Sequence, residues 1–282
     1  MKYIVFSKAL HSTWVMSCEY SALFDCGEGC STMLGHAVFI PDKLFLSHSH
    51  IDHVAGLPAF LGLRNSTKGA NDKPLTIYYP AGNRRIEDWI QFSTRALSRF
   101  KYPLQITPLS PNQVIELPTK ESSREKRFVH AFPVEHANEP CFGYRIFTPT
   151  KRMKAEFRGK PQEFYRALSA QEKAQMHEEV EQTKLFYSGD AMPLSSGPNC
   201  PLNGAEVAFL DGTFLKASDR DKPTHAALDE LAQKCEIAGV KTAYVLHLSV
   251  RYSMREIQEH IDALACLYPL KAISYDRVHE IS

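Results

Sequence analysis

Between Leu44 and Gly62 the chain reads LFLSHSHIDHVAGLPAFLG, which places His48, His50, Asp52 and His53 inside six residues. Titratable side chains packed that closely repel one another or lose hydration unless a shared cation compensates. His48 and His50 lie two apart, so on an extended segment both project to one side. Asp52 and His53 follow where the chain turns, before Leu57 and Pro58 open a helix whose first turn tolerates proline. One short loop therefore offers four donor groups to a common cavity. Imidazole nitrogens suit zinc and other borderline metals, and the carboxylate accepts zinc or manganese. The chemistry this set points to is the binding of metal ions.

Such a loop needs a frame. The segments KYIVFS, WVMSC, SALFDCG, KLFLS and LTIYYP are each bounded by Gly, Pro, Asn or Asp, which predicts short strands. The spacing of Ile86, Trp89, Ile90 and Leu97 predicts a helix within 82–101. QITPLS, QVIEL, KRFVHAFPVE and FGYRIFT read as strands again. Residues 151–184 are polar and helix-prone, with Ser169 and Glu172 spaced as a capping box, and predict a helical arm or insertion. Beyond it KLFYSGD, EVAFLDGTF, TAYVLHLS and KAISY predict strands, while THAALDELAQKCEIAG and MREIQEHIDALACL predict helices. Strands followed by helices in both halves imply two packed sheets with helices outside, as a single domain over 1–282. His136, Asp190 and His247 fall at strand ends, where distant segments converge on one rim. His130, on the same strand, is the alternative to His136.

With 44% hydrophobic and 23% charged residues in 282 positions, the composition is that of a globular protein. A formal charge of +1 excludes the global basic field of a dedicated nucleic-acid coat protein. No apolar run is long enough to predict a transmembrane helix. The N-terminal stretch is interrupted by Lys8 and His11 and lacks a signal-peptide apolar region, so the expected location is cytoplasmic. Of seven cysteines only Cys26 and Cys30 are close, which predicts buried reduced thiols and not a thiolate zinc site.

HSHIDH resembles the His-x-His-x-Asp-His signature of the metallo-β-lactamase superfamily. FDCGEGC before it, and EHANEPCFGYRI, YSGD, THAAL and HLSVRY after it, are similar to segments of the ribonuclease Z family of transfer-RNA 3′-end nucleases. Together they span Ser21 to Tyr252. The resemblance implies an α+β fold, the αββα four-layer sandwich of two mixed sheets flanked by helices. It implies two divalent ions per chain, zinc first, with manganese or iron as alternatives. His48, His50 and His136 would hold one ion, Asp52, His53 and His247 the other, and Asp190 would bridge them. Two ions about 3.5–4 Å apart make hydroxide available near neutral pH for attack on a phosphodiester, precursor transfer RNA being the first expectation. Asp52 belongs to that catalytic set. His225 is the candidate proton donor, with Asp211 orienting it through the other ring nitrogen. Ser249, Arg251 and Tyr252 match a segment beside the last ligand and are candidate substrate contacts. Asp25 is expected behind the site, and a homodimer is implied, with an arm of one subunit reaching the other's site.

The chain also departs from the family pattern. FSKALHSTWVM stands where a Leu-Gly-Thr-Gly turn is usual, and LDGTF where the family has His-Glu-Ala-Thr. The 151–184 segment has one Gly and one Pro. It opens with the basic residues Lys151, Arg152, Lys154, Arg158 and Lys160 and becomes acidic at Glu172, Glu178, Glu179 and Glu181. No aromatic ladder for single-stranded RNA is visible. The alternatives are a lactonase, sulfatase or thioesterase on the same fold, and a non-catalytic nucleic-acid-binding scaffold. Competent residues at all seven ligand positions oppose the scaffold reading. A redox di-iron reading would need a flavin domain that 282 residues do not hold.

Overall fold

Two sheets of seven strands face each other across an apolar core in the computed structural model, which describes residues 2–66, 73–97, 99–118, 125–264 and 270–282. The first sheet is built from β1 (Tyr3–Lys8), β2 (Ser12–Ser17), β3 (Ala22–Phe24), β4 (Lys43–Phe45), β5 (Leu75–Pro80) and β6 (Leu104–Leu109). The second holds β7 (Val114–Leu117), β8 (Arg127–Pro133), β9 (Phe142–Met153), β10 (His177–Tyr187), β11 (Val207–Asp211), β12 (Ala243–Leu246) and β13 (Leu270–Ala272). A final strand, β14 (His279–Ile281), returns to pair antiparallel with β1. That last strand is only three residues long, and the sequence pattern did not predict it. Both sheets are mixed. β3 to β6 run parallel, as do β10 to β13, with antiparallel hairpins completing each sheet.

Alternation along the strands makes the layers. Val5, Val15, Phe24 and Phe45 of the first sheet meet Tyr144, Leu185, Tyr187 and Phe209 of the second in the central core. On the outer face of the first sheet, Trp14, Leu23 and Leu44 pack under α3 (Leu57–Ser66) and α4 (Arg84–Arg95), through Phe60, Leu61, Ile86 and Ile90. Two short helices, α1 (Cys30–Leu34) and α2 (Ile51–Val54), complete this side. The order of layers is helix, sheet, sheet, helix, as expected.

Residues 151–184 differ from the helical arm expected there. β9 continues to Met153 and β10 begins at His177, so two antiparallel strands form a ribbon. Only its tip is helical, in α5 (Gln162–Ala167) and α6 (Ala170–Gln175), the latter with the Ser169–Glu172 capping box in place. Cross-strand charge explains the difference: Glu178 lies opposite Arg152 and Glu179 opposite Lys151, pairs that favour a ladder. On the second sheet's outer face lie α7 (Leu228–Ala238) and α8 (Met254–Leu264). Because α7 begins at Leu228, His225 precedes the helix and lies in the loop leading to it.

Two glycines let the metal-motif loop and the FDCGEGC loop cross in contact. A Cβ on Gly56 would lie 2.1 Å from the Gly27 carbonyl oxygen, and one on Gly27 would lie 2.3 Å from that of Asp52. Gly56→Ala should therefore cost about 3 kcal/mol, since backbone at both sides must move. Chemical denaturation measures this directly; an unchanged midpoint would show that the crossing is loose.

Candidate metal centre

The expected ligands lie in segments that follow strand ends on one rim, with Asp52 and His53 inside α2. His48, His50, Asp52 and His53 follow β4, His136 follows β8, Asp190 follows β10 and His247 follows β12. The loops bring them together in linked groups: His48 with His50, His136 and Asp190; Asp52 with His53 and His247; Asp190 with Asp211, His225 and His247; and Asp25 with His48 and His53. Asp190 is the common member by distance. Its Oδ1 is 3.2 Å from His53 Nε2, and its Oδ2 is 3.2 Å from His247 Nε2, 3.6 Å from His48 Nε2 and 3.7 Å from His136 Nε2. Asp52 Oδ2 is 3.1 Å from His247 Nε2. His130 is not part of this cluster; its ring lies against Phe132 on β8.

Three of the atoms facing the centre, His48 Nε2, His53 Nε2 and Asp190 Oδ2, are buried without a hydrogen-bond partner. Each such group costs about 1–3 kcal/mol unless something else satisfies it. A cation does so for all three at once, and the donor set of imidazoles and carboxylates fits a divalent metal.

The outward nitrogens are fixed from behind. His53 Nδ1 donates to Asp25 Oδ2 at 2.7 Å, and Asp25 also accepts from the Ser47 amide, the Ser47 hydroxyl and Tyr187 Oη. His48 Nδ1 meets Ser47 Oγ at 2.9 Å, and His136 Nδ1 donates to the Thr224 carbonyl at 2.7 Å. His247 Nδ1 is 2.8 Å from Thr213 Oγ1, whose hydroxyl donates to Asp211 Oδ1. Partners of this kind set the tautomer that points Nε2 at a metal. Asp25 thus has the place expected for it. Ser47, Tyr187 and Thr213 were not anticipated, although Thr213 stands two residues after Asp211 in LDGTF. The Leu10 amide, which donates to Asp52 Oδ2 at 3.0 Å, had no side-chain signal at all. It comes from the turn of the β1–β2 hairpin, where the family's glycine-rich turn is missing. Leu10, Asp25 and His247 all adopt positive φ, at 66°, 56° and 55°, a concentration of backbone strain at this rim.

Electrostatics follow from burial and neighbours. Burial, then the adjacent His53, pushes His48 well below the usual imidazole range, leaving a lone pair free. For Asp190 burial acts upward, but the facing His247 and His53 hold its carboxyl well below the usual range.

The Asp211–His225 pair also forms. His225 Nδ1 lies 2.8 Å from Asp211 Oδ2 and 3.9 Å from Asp190 Oδ2, with its ring stacked 5.0 Å from that of His247. Burial works against its imidazolium, yet the carboxylates of Asp211 and Asp190 raise it to about 9. Ser249, Arg251 and Tyr252 gather farther out. The Ser249 amide donates to the Thr213 carbonyl, Arg251 stacks 5.2 Å over Phe214, and Tyr252 Oη donates to Asp219 at 2.8 Å.

Residues 23–154 match the beta-lactamase superfamily domain. The chain is 28% identical to a ribonuclease BN of Citrobacter koseri, over 90% of this chain and 87% of that protein. It is 29% identical to a ribonuclease Z of Staphylococcus carnosus, over 88% and 84%. The crystal structure of the short form of human tRNase Z superposes with a TM-score of 0.66 at 18% identity, covering all of both chains. A sandwich of this layering carries a histidine–aspartate cluster on its rim, matches the beta-lactamase superfamily domain over residues 23–154, and is similar along nine-tenths of its length to proteins named ribonuclease BN and ribonuclease Z.

Proposed function

We propose that the protein is a ribonuclease Z-like phosphodiesterase that cleaves RNA, precursor transfer RNA first, using two divalent ions, with zinc as the expected metal. It is a metal-dependent hydrolase. In this reading His48, His50 and His136 hold one ion, Asp52, His53 and His247 the other, and Asp190 lies between. Bound there, the ions supply an activated water and positive charge for the attacked phosphate. The observation that carries phosphodiester chemistry is the carboxylate-backed His225 beside the cluster. Its Nδ1 is held by Asp211, which leaves Nε2 to deliver a proton to the departing alkoxide. Arg251 offers a guanidinium to an incoming phosphate just beyond Phe214.

The ribbon of β9 and β10 is a candidate RNA contact. Its tip carries Lys154, Arg158 and Lys160 beside Phe157, Phe164 and Tyr165, with Lys160 lying 6.0 Å over the Phe164 ring. Arg152 is less available, being paired with Glu178. A homodimer in which this ribbon reaches a partner's site is the assembly that the likeness implies. Free thiols at Cys26, Cys30, Cys141, Cys200 and Cys235 fit a reducing cytoplasm.

The test is cleavage of a precursor transfer RNA bearing a 3′ trailer, with zinc and manganese in parallel and an aryl phosphodiester as control. Trailer removal at one position supports the reading. Turnover of the aryl ester with intact RNA would instead assign a small-molecule phosphodiesterase.

A further inference from the structure

Beside the metal loop, on the outer side of the first sheet, α4 carries a second feature that the hydrolytic site does not use. Asn83 caps this helix by accepting from the Ile86 amide, and its side-chain amide donates to the Pro140 carbonyl, 3.0 Å away in the loop that bears His136. The first turns of α4 are thereby fixed against the rim. Arg85, Asp88, Trp89 and Phe92 line an open pocket of about 430 Å³, closed on one side by Ser49, which stands between His48 and His50. The pocket therefore begins at the metal motif itself. Trp89 and Phe92 meet edge to face, with ring centroids 6.3 Å apart and planes 85° apart, so one ring offers a face and the other a wall. Phe92 is 61% exposed. An aromatic side chain this open offers a face of the kind on which a planar base stacks.

We propose that this corner is a nucleobase subsite, in which an unpaired base of the substrate stacks on Trp89 and Phe92 while Arg85 meets a flanking phosphate. The proposal rests on the nuclease reading above. The mixed polar mouth, with Arg85, Asp88 and Ser49, whose hydroxyl donates to Glu139, favours a nucleotide over an apolar partner. Arg85 forms no ion pair among the described residues and suits a phosphate, while the Asp88 carboxylate at the same mouth accepts from an exocyclic amino group. Sequence periodicity concealed the pair, because Trp89 fits the apolar stripe of α4 and Phe92 lies just off it.

The chain has two tryptophans, and Trp14 is fully buried, so quenching of the accessible indole reports on Trp89. Phosphorothioate-linked oligodeoxyadenylate, which resists hydrolysis, should quench that emission on the metal-loaded protein, whereas the same backbone with abasic sites should quench it at least tenfold more weakly. In kinetics, Phe92→Ala and Trp89→Ala should raise KM for an RNA oligonucleotide about tenfold, a loss several times larger than any on an aryl phosphodiester. Equal quenching by base-bearing and abasic strands overturns the subsite. An unchanged RNA KM together with a dimer that dissociates on Phe92→Ala also overturns it, and assigns the face to a second copy of the chain. If RNA is not cleaved while oligoadenylate still quenches Trp89, the nuclease reading fails and the base site stands.

Discussion

Replacing Asp190 by alanine should remove bound metal and hydrolysis together. Its two oxygens face His53, His247, His48 and His136 within 3.2–3.7 Å, so this one carboxylate reaches both halves of the cluster. Without it Asp52 is left as the carboxylate beside His53 and His247, and the imidazoles of His48, His50 and His136 lose the negative charge that favours a divalent cation between them. Lost charge stabilisation of several kcal/mol corresponds to at least about a thousandfold in rate. Metal content by atomic emission and turnover of an aryl phosphodiester measure the two effects separately. Asp190→Asn keeps the shape and removes the charge, which separates loss of metal from loss of fold. A variant that holds two metals per chain and turns over normally would end the bridging assignment.

The second large effect concerns His225. His225→Ala should keep the metal and slow turnover about a hundredfold or more, because its Nδ1 is engaged by Asp211 at 2.8 Å and stands farther from Asp190, at 3.9 Å. The pH profile carries the sign. A donor raised to about 9 is protonated at neutral pH, so the rate holds below that value and declines as pH rises through it. Cations bound at Asp190 act in the opposite direction and bring the decline toward neutrality. Asp211→Asn removes the main upward influence, so its limb should shift to lower pH, while His225→Ala should lose the limb altogether. Unchanged turnover in His225→Ala would take this residue out of the mechanism.

Much of the site could be read without coordinates, for a local reason. HSHIDH puts four donors in one loop, while His136, Asp190 and His247 are implied by the family resemblance, and their strand-end positions, where a sheet delivers side chains to its rim, agree with it. Strand patterns likewise predicted nearly every element of both sheets, since alternation against a buried face is a short-range signal. The ribbon at 151–184 was misjudged because its helix-forming composition is local, whereas the pairing of Glu178 and Glu179 with Arg152 and Lys151 joins residues more than twenty apart.

What the sequence determined by itself is therefore the kind of chemistry, through the donors, and the kind of frame, through its periodicity. Tertiary structure alone decided how each donor is held. The Leu10 amide on Asp52, the Tyr187 hydroxyl on Asp25 and the Thr213 hydroxyl between His247 and Asp211 are contacts across distant segments. They exist because burial at the junction of two sheets leaves each polar atom needing a partner, and only the packed chain determines which atom is near enough to serve.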